Sequence, residues 1–216
     1  MHIDLWSDLV CPWCFIGKRQ LEAALAEFPH RDEVTIQHRA YQLNPGASTT
    51  TERTTEMLAS KYGVDIAQAE AMQRNVTEAA AGVGLRYQLE RTLSGNTRDG
   101  HRLVLWAQEL DHARGQLLLE RLFSAHFEQA QSIFDTPALV EFAVAEGFDA
   151  DAAATMLASD AYVAQVQQEQ QIAQTLGCQG VPFFVLDERF GVTGAQPPEV
   201  FASALQQAWD AEQADR

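Results

Sequence analysis

Apolar Ile3, Leu5 and Trp6 set among polar His2, Asp4 and Ser7 make residues 2–7, HIDLWS, read as a short strand. From residue 12 the period changes. Phe15, Ile16, Leu21, Ala24, Leu25 and Phe28 recur at spacings of three and four, which predicts a helix over 12–28 closed by Pro29. VTIQHRAYQL (34–43) reads as a second strand, stopped by Asn44-Pro45-Gly46. A strand, a crossover helix and a strand make a β-α-β unit with a parallel pair.

After the Ser/Thr cluster at 48–51 the pattern is helical to about residue 176. Breaks fall at Gly63, at 82–84, in LSGNT (93–97), at Gly115 and at Gly147. Leu103, Trp106, Ala107 and Leu110 line one face, and Leu119, Leu122, Phe123 and Phe127 another, as core stripes rather than cofactor contacts. Thr136-Pro137 reads as a cap followed by proline at the first helical position. Strands return at PFFVLD (182–187) and RFGVT (189–193), paired through a turn at Asp187-Glu188. Pro197-Pro198 then opens a last helix, with Val200, Phe201, Ala204, Leu205 and Ala208 on its buried side. The expectation is an α/β chain in which residues 51–176 form a helical insertion. The β-α-β and β-β-α halves, residues 1–50 and 177–216, together form the other domain.

Composition narrows the partners. With 216 residues, 46 % of them hydrophobic, the chain can bury one core plus a large insertion, or two small cores. No run of 18 apolar residues occurs, so no membrane span is expected. Lys and Arg total 15 against 30 Asp and Glu, and the net charge of −15 disfavours nucleic acid and anionic membrane surfaces. The opening MHIDLWSD lacks the basic start and long apolar core of a secretory signal, so a cytoplasmic setting is expected. Three cysteines there make no disulfide scaffold and point to metal or redox chemistry.

Two of the three form Cys11-Pro12-Trp13-Cys14. Cys11 falls at the expected N-cap of the first helix, an exposed position with Cys14 a turn inside, and Pro12 at its first position, where the missing N–H costs nothing. First-turn N–H groups and the helix dipole favour negative charge there, and the thiolate is the nucleophilic form of cysteine. Cys14 lies one turn on and could resolve a mixed disulfide. Two other readings compete. A zinc site wants four ligands, commonly a second CxxC or a His pair, but only Cys178 remains and no HxxxH follows. Free cysteines are also often simply buried.

GVPFFV (180–185) sets a proline at the mouth of a strand after the helical block. With CPWC, the Gly180-Val181-Pro182 turn and the tail RFGVTGAQPPEVF (189–201), the chain resembles the thioredoxin-fold DsbA family, specifically its FrnE-like branch. The resemblance implies a thioredoxin fold with an all-helical insertion, and a thiol–disulfide oxidoreductase or isomerase requiring no metal and no organic cofactor. Protein thiols, protein disulfides or small thiols such as glutathione would be its partners. Cys11 would attack and Cys14 resolve. Pro12, Trp13, Val181 and Pro182 would shape the substrate groove, with Val181-Pro182 cis and Pro182 against Cys11.

NTRDGHRL (96–103) resembles a family segment whose Asn96, His101 and Arg102 would border that groove; a capped helix start is the competing reading. His38 reads as structural, and Cys178 as either a third thiol near the site or a lone cysteine. The rival activity implied by the same architecture is a kappa-type glutathione transferase or a 2-hydroxychromene-2-carboxylate isomerase. There a serine replaces Cys11, and glutathione would lie beside Val181 and the Gly194–Gln196 turn. Cysteine at both positions 11 and 14 argues against it. A homodimer is left open. The direction of exchange depends on a reduction potential that sequence does not supply.

Overall fold

The computed structural model describes residues 1–214. In chain order it contains β1 (His2–Ser7), α1 (Pro12–Glu27), β2 (Thr35–Ala40), β3 (Glu52–Arg53), α2 (Thr54–Tyr62) and α3 (Ile66–Ala81). There follow β4 (Leu93–Ser94), α4 (Arg98–Leu110), α5 (His112–Phe127), α6 (Thr136–Ala145) and α7 (Ala150–Ala158). The chain closes with α8 (Val163–Thr175), β5 (Phe183–Leu186), β6 (Phe190–Thr193) and α9 (Pro198–Ala214). Two compact units result, residues 1–43 with 169–216, and residues 44–168. The junctions lie seven or eight residues before those expected from composition. Glu169 and Gln170 bond to the backbone of Ala40 and Gln42, so the second half of α8 belongs with the sheet.

The discontinuous unit is built on a sheet of order β2-β1-β5-β6. β1 runs parallel to β2 and antiparallel to β5, and β5 turns into β6 through Asp187-Glu188. Register assigns the faces, because paired residues project to the same side. Ile3 opposes Leu186 and Leu5 opposes Phe184. On this face they pack with Leu21 and Ala24 of α1 and with Phe201, Leu205, Ala208 and Trp209 of α9. Val200 is exposed instead, and Trp209 takes the core position. Trp6 opposes Phe183 on the other face, where both cluster with Val185, Ala173 and Cys178. Arg39 is held there between Asp4 (2.6 Å) and Glu169 (3.3 Å). Burial works against its charge, yet the two carboxylates outweigh it and raise its pKa.

The contiguous unit is helical apart from a ladder of two dipeptides, β3 with β4, which the all-helical expectation did not include. Aspartate caps start α3, α5, α6 and α7. Asp65 forms a capping box with Gln68, and Asp111, Asp135 and Asp149 accept the N–H groups of Arg114, Ala138 and Ala152. The cap of α6 is therefore Asp135, and Thr136 is already helical. The break expected at Gly115 lies instead at Asp111. Gly115 sits inside α5, where a Cβ would fall 2.6 Å from the Gln108 backbone. Only glycine lets α5 approach α4 so closely. Leu110 ends α4 and is exposed rather than on the core stripe. No helix among the described residues is long and apolar enough to cross a membrane.

Candidate active site

β1 stops at Ser7, and the chain turns through Asp8 into α1. The Cys11 N–H donates to the Asp8 carbonyl (3.0 Å), and the Cys14 N–H donates to the Cys11 carbonyl (2.9 Å). Cys11 is the N-cap with extended backbone (φ −89°, ψ 108°) and Pro12 lies in the first turn, as expected from the motif. Exposure does not follow the expectation that Cys11 stands open at the helix start. Cys11 is 5 % exposed and Cys14 0 %, while Trp13 between them is 43 % exposed. The covering group is the peptide before Pro182, for the Cys11 thiol points at the Val181 carbonyl at 3.5 Å.

Val181-Pro182 is cis. The Pro182 carbonyl accepts the Gly194 N–H at 2.8 Å, which ties the β5 entry to the turn after β6. Gly194 itself has φ +81°, a backbone region that favours glycine. The Gln196 side chain folds back to donate to the Thr193 carbonyl at 2.8 Å. Gly17, one turn beyond Cys14, completes the fit. A Cβ there would lie 2.8 Å from Pro182 Cγ, 3.3 Å from Phe184 Cζ and 3.4 Å from Ala195 Cα. The helix thus lies close against the proline because residue 17 has no side chain.

The two thiols differ in their surroundings. Burial pushes the Cys14 pKa well above its ordinary value; its hydrogen bond to Cys11 and the Cys11 charge push the same way. An Asp8 backbone contact opposes this, and the Asp8 charge adds to the rise. Cys14 is therefore the member of the pair that holds its proton more tightly than an ordinary thiol. Asp8 is 1 % exposed, and its carboxylate accepts the Leu43 N–H at 2.7 Å. Tyr41 lies nearby, its pKa raised by burial and then by Cys178 and Asp8. The Cys178 thiol donates to the Gly180 carbonyl (3.3 Å) and is raised by burial.

Six candidates therefore meet within one unit: Cys11, Pro12, Trp13, Cys14, Val181 and Pro182, with Gly194 bonded to the last. Asn96 and His101 belong to the other unit. Asn96 spends its side chain on the Pro45 and Ala47 carbonyls (3.3 and 2.9 Å) and on the Arg98 N–H (3.0 Å). His101 is fully buried. Arg102 closes the end of α7, donating to the carbonyls of Met156, Ser159 and Ala161 at 2.9, 2.5 and 2.7 Å. His38 is buried and bonded to Ser7 Oγ at 3.0 Å, a structural contact. Among the described residues no group of three or more His, Cys, Asp or Glu is placed to hold a metal ion.

Gly17, Asp8 and Tyr41 were not among the sequence candidates. A glycine interrupting an otherwise helical pattern is the signal that could have found the first. An acid three residues before the motif, in SDLVCPWC, could have found the second.

A sheet of this order, with a CxxC pair at the first helix facing a cis-proline turn, defines a thioredoxin-like protein carrying a helical insertion. The chain belongs to the DSBA-like thioredoxin domain family, whose pattern it matches over residues 2–206. A solved structure described as a probable DsbA oxidoreductase from Streptomyces coelicolor is 43 % identical; the match covers 97 % of this chain and 90 % of that one at a TM-score of 0.92. A cytosolic disulfide reductase, DsbM from Pseudomonas aeruginosa, solved with glutathione, is 18 % identical over 97 % of this chain and all of that one (TM-score 0.68). A 2-hydroxychromene-2-carboxylate isomerase is 15 % identical over 100 % of this chain and 98 % of that one (TM-score 0.71). The last two likenesses are of fold alone.

Proposed function

We propose that the protein is a cytosolic thiol–disulfide oxidoreductase of the FrnE-like branch, exchanging disulfides with protein thiols or glutathione through Cys11 and Cys14. The observation that carries this reading is the asymmetric thiol pair. Cys11 sits at a helix N-cap against the Val181 carbonyl, and Cys14 is a fully buried thiol hydrogen-bonded to it. Acting as a reductant, the Cys11 thiolate attacks a substrate disulfide, a Cys11–substrate disulfide forms and the first substrate thiolate leaves. Cys14 then attacks Cys11 Sγ, the Cys11–Cys14 disulfide forms and the second substrate thiolate departs. The reverse sequence oxidises a dithiol. Trp13 and the Val181 and Pro182 main chain flank the attacked sulfur and are the proposed groove for the substrate chain.

The test is a pair of variants on a peptide disulfide. Cys14→Ser should accumulate mixed disulfides at residue 11, because attack survives and release does not. Cys11→Ser should abolish exchange. A Cys11→Ser protein that conjugates glutathione, beside a parent inert toward disulfides, would instead establish the transferase or isomerase reading.

A further inference from the structure

We propose that β6 carries the interface of a homodimer, in which two copies of the chain join their sheets antiparallel about a two-fold axis at Gly191. The proposal is independent of the chemistry proposed above and answers the homodimer question that the sequence leaves open.

β6 is an outer strand of the sheet, bonded to β5 on one side only. In an antiparallel pair, residues that bond inward alternate with residues that face outward. The Gly194 N–H reaches the Pro182 carbonyl, so by alternation Val192 and Phe190 bond to β5. Gly191 and Thr193 turn their main-chain groups to the outer edge, and both residues are exposed. The two differ in one respect. The Gln196 side chain donates to the Thr193 carbonyl at 2.8 Å and covers that end of the edge. Gly191 has no side chain to cover its own. A second β6 can pair here, each Gly191 N–H donating to the carbonyl of the partner's Gly191. An axis one residue on, at Val192, would need the Thr193 carbonyl that Gln196 already holds.

Charge identifies the occupant as a second copy. α9 starts beyond the Gly194 turn and runs back along β6. Its far end packs Trp209 on Phe28 and His30 and brings Glu212 within 3.5 Å of the Met1 amine. Arg189, before β6, and Glu199, in the first turn of α9, therefore lie at opposite ends of the strand. Both are exposed. Between β6 and α9 runs an open groove of about 530 Å³, and these two are its only charged lining residues. Apolar Phe190, Val192 and Ala204 line it too, with Val200 41 % exposed. A two-fold axis at Gly191 sets Arg189 level with the partner's Thr193, beside which the partner's Glu199 opens its helix. Each cation thus meets an acid, twice by symmetry. Phe190 falls opposite the partner's Val192 on the α9 face, and Val200 comes under the partner's helix. The surface is complementary to itself, which an unrelated segment would match only by chance.

The test is sedimentation velocity of the full chain. Each copy carries a net charge of −15, so the measurement belongs in about 0.15 M salt, where a Debye length of about 8 Å screens all but close pairs. An interface this small should associate in the micromolar range, so the parent should pass from monomer to dimer between about 1 and 100 μM. Arg189→Glu and Glu199→Arg should each raise the dissociation constant at least about tenfold, and the two together should return it to within about threefold of the parent. Val200→Asp, an acid in a first helical turn, should remain monomeric at about 100 μM. Exchange of the Gly191 amide in the parent should slow at least about tenfold as the dimer forms. A parent that stays monomeric overturns the proposal. So does a dimer that both charge reversals leave unchanged, or a double variant that does not recover. If a reversal variant does not fold, the parent decides through the Gly191 amide: slowing with concentration supports this edge, and a concentration-independent rate overturns it.

Discussion

Gly17→Ala sets two known effects against each other at one atom. Alanine inside a helix is favoured over glycine by about 1 kcal/mol. The new methyl would stand 2.8 Å from Pro182 Cγ, with Phe184 Cζ and the Ala195 main chain behind it at 3.3 and 3.4 Å. Overpacking of a filled core costs roughly 1–3 kcal/mol. Pro182 has little freedom to yield, because its carbonyl is held by the Gly194 N–H. The sum is a loss of about 1 kcal/mol, or a melting temperature roughly 2–4 °C lower for a chain of this size. The effect on exchange should be larger than the effect on stability. Pro182 and the Val181 carbonyl move together, and a displacement toward 1 Å at a reacting centre can cost about 100-fold in rate. Calorimetry paired with single-turnover disulfide exchange checks both numbers. A variant that melts higher by the full helix-propensity gain and exchanges at the parental rate would refute the close packing on which the argument depends.

Glu188 occupies the second position of the β5–β6 turn at φ +57°, so Glu188→Gly should stabilise the protein by about 1 kcal/mol, read as a higher urea midpoint at unchanged slope. Arg102→Leu should lose roughly 3 kcal/mol through four carbonyls left without their charged donor, and Arg102→Lys should recover only part of it, both measured by urea unfolding. Cys14 binds its proton more tightly folded than unfolded, so its contribution is fully present below the unfolded-state pKa, near 9.0, and is lost as pH rises above that. Stability of the reduced protein should fall above pH 9 by up to about 1.4 kcal/mol per unit. In Cys14→Ser the decline should be shallower, and equal slopes in the two proteins would contradict the assignment.

The elements nearest the chemistry were legible because local rules decide them. β1 and α1 differ in period, Pro12 suits a helix start, and β5 and β6 are joined by a short turn over residues 187–189. What escaped was set by distant contacts. Gly115 looks like a helix breaker, yet its lack of a Cβ serves the approach to Gln108 across the interhelical turn. Asp135 and Thr136 are both good caps, and periodicity does not choose between neighbours. Leu110 falls on an apolar stripe that ends with its helix. The exposure of Cys11 was misjudged for the same reason, since the carbonyl that covers it arrives from 170 residues further on. Gly17 fits this pattern too, for its partners Pro182 and Ala195 lie on the far side of the helical block.

The chain leaves and re-enters the sheet-containing unit at one place. Gln42 and Gln170 exchange two hydrogen bonds (3.1 and 3.3 Å), and Glu169 accepts from Ala40. This has a consequence for synthesis on the ribosome. β1 and β2 emerge early, but the flank of β1 that β5 will occupy stays unpaired until the last fifth of the chain appears. An open edge is an invitation to wrong partners. The intervening segment, residues 44–168, is contiguous and can fold while the ribosome is still working. Once it has, it no longer counts as a long flexible loop. Closing a slack loop some twenty-five times longer than a tight turn carries a penalty of about 3 kcal/mol. A prefolded insertion whose ends come out side by side removes most of that penalty before β5 arrives.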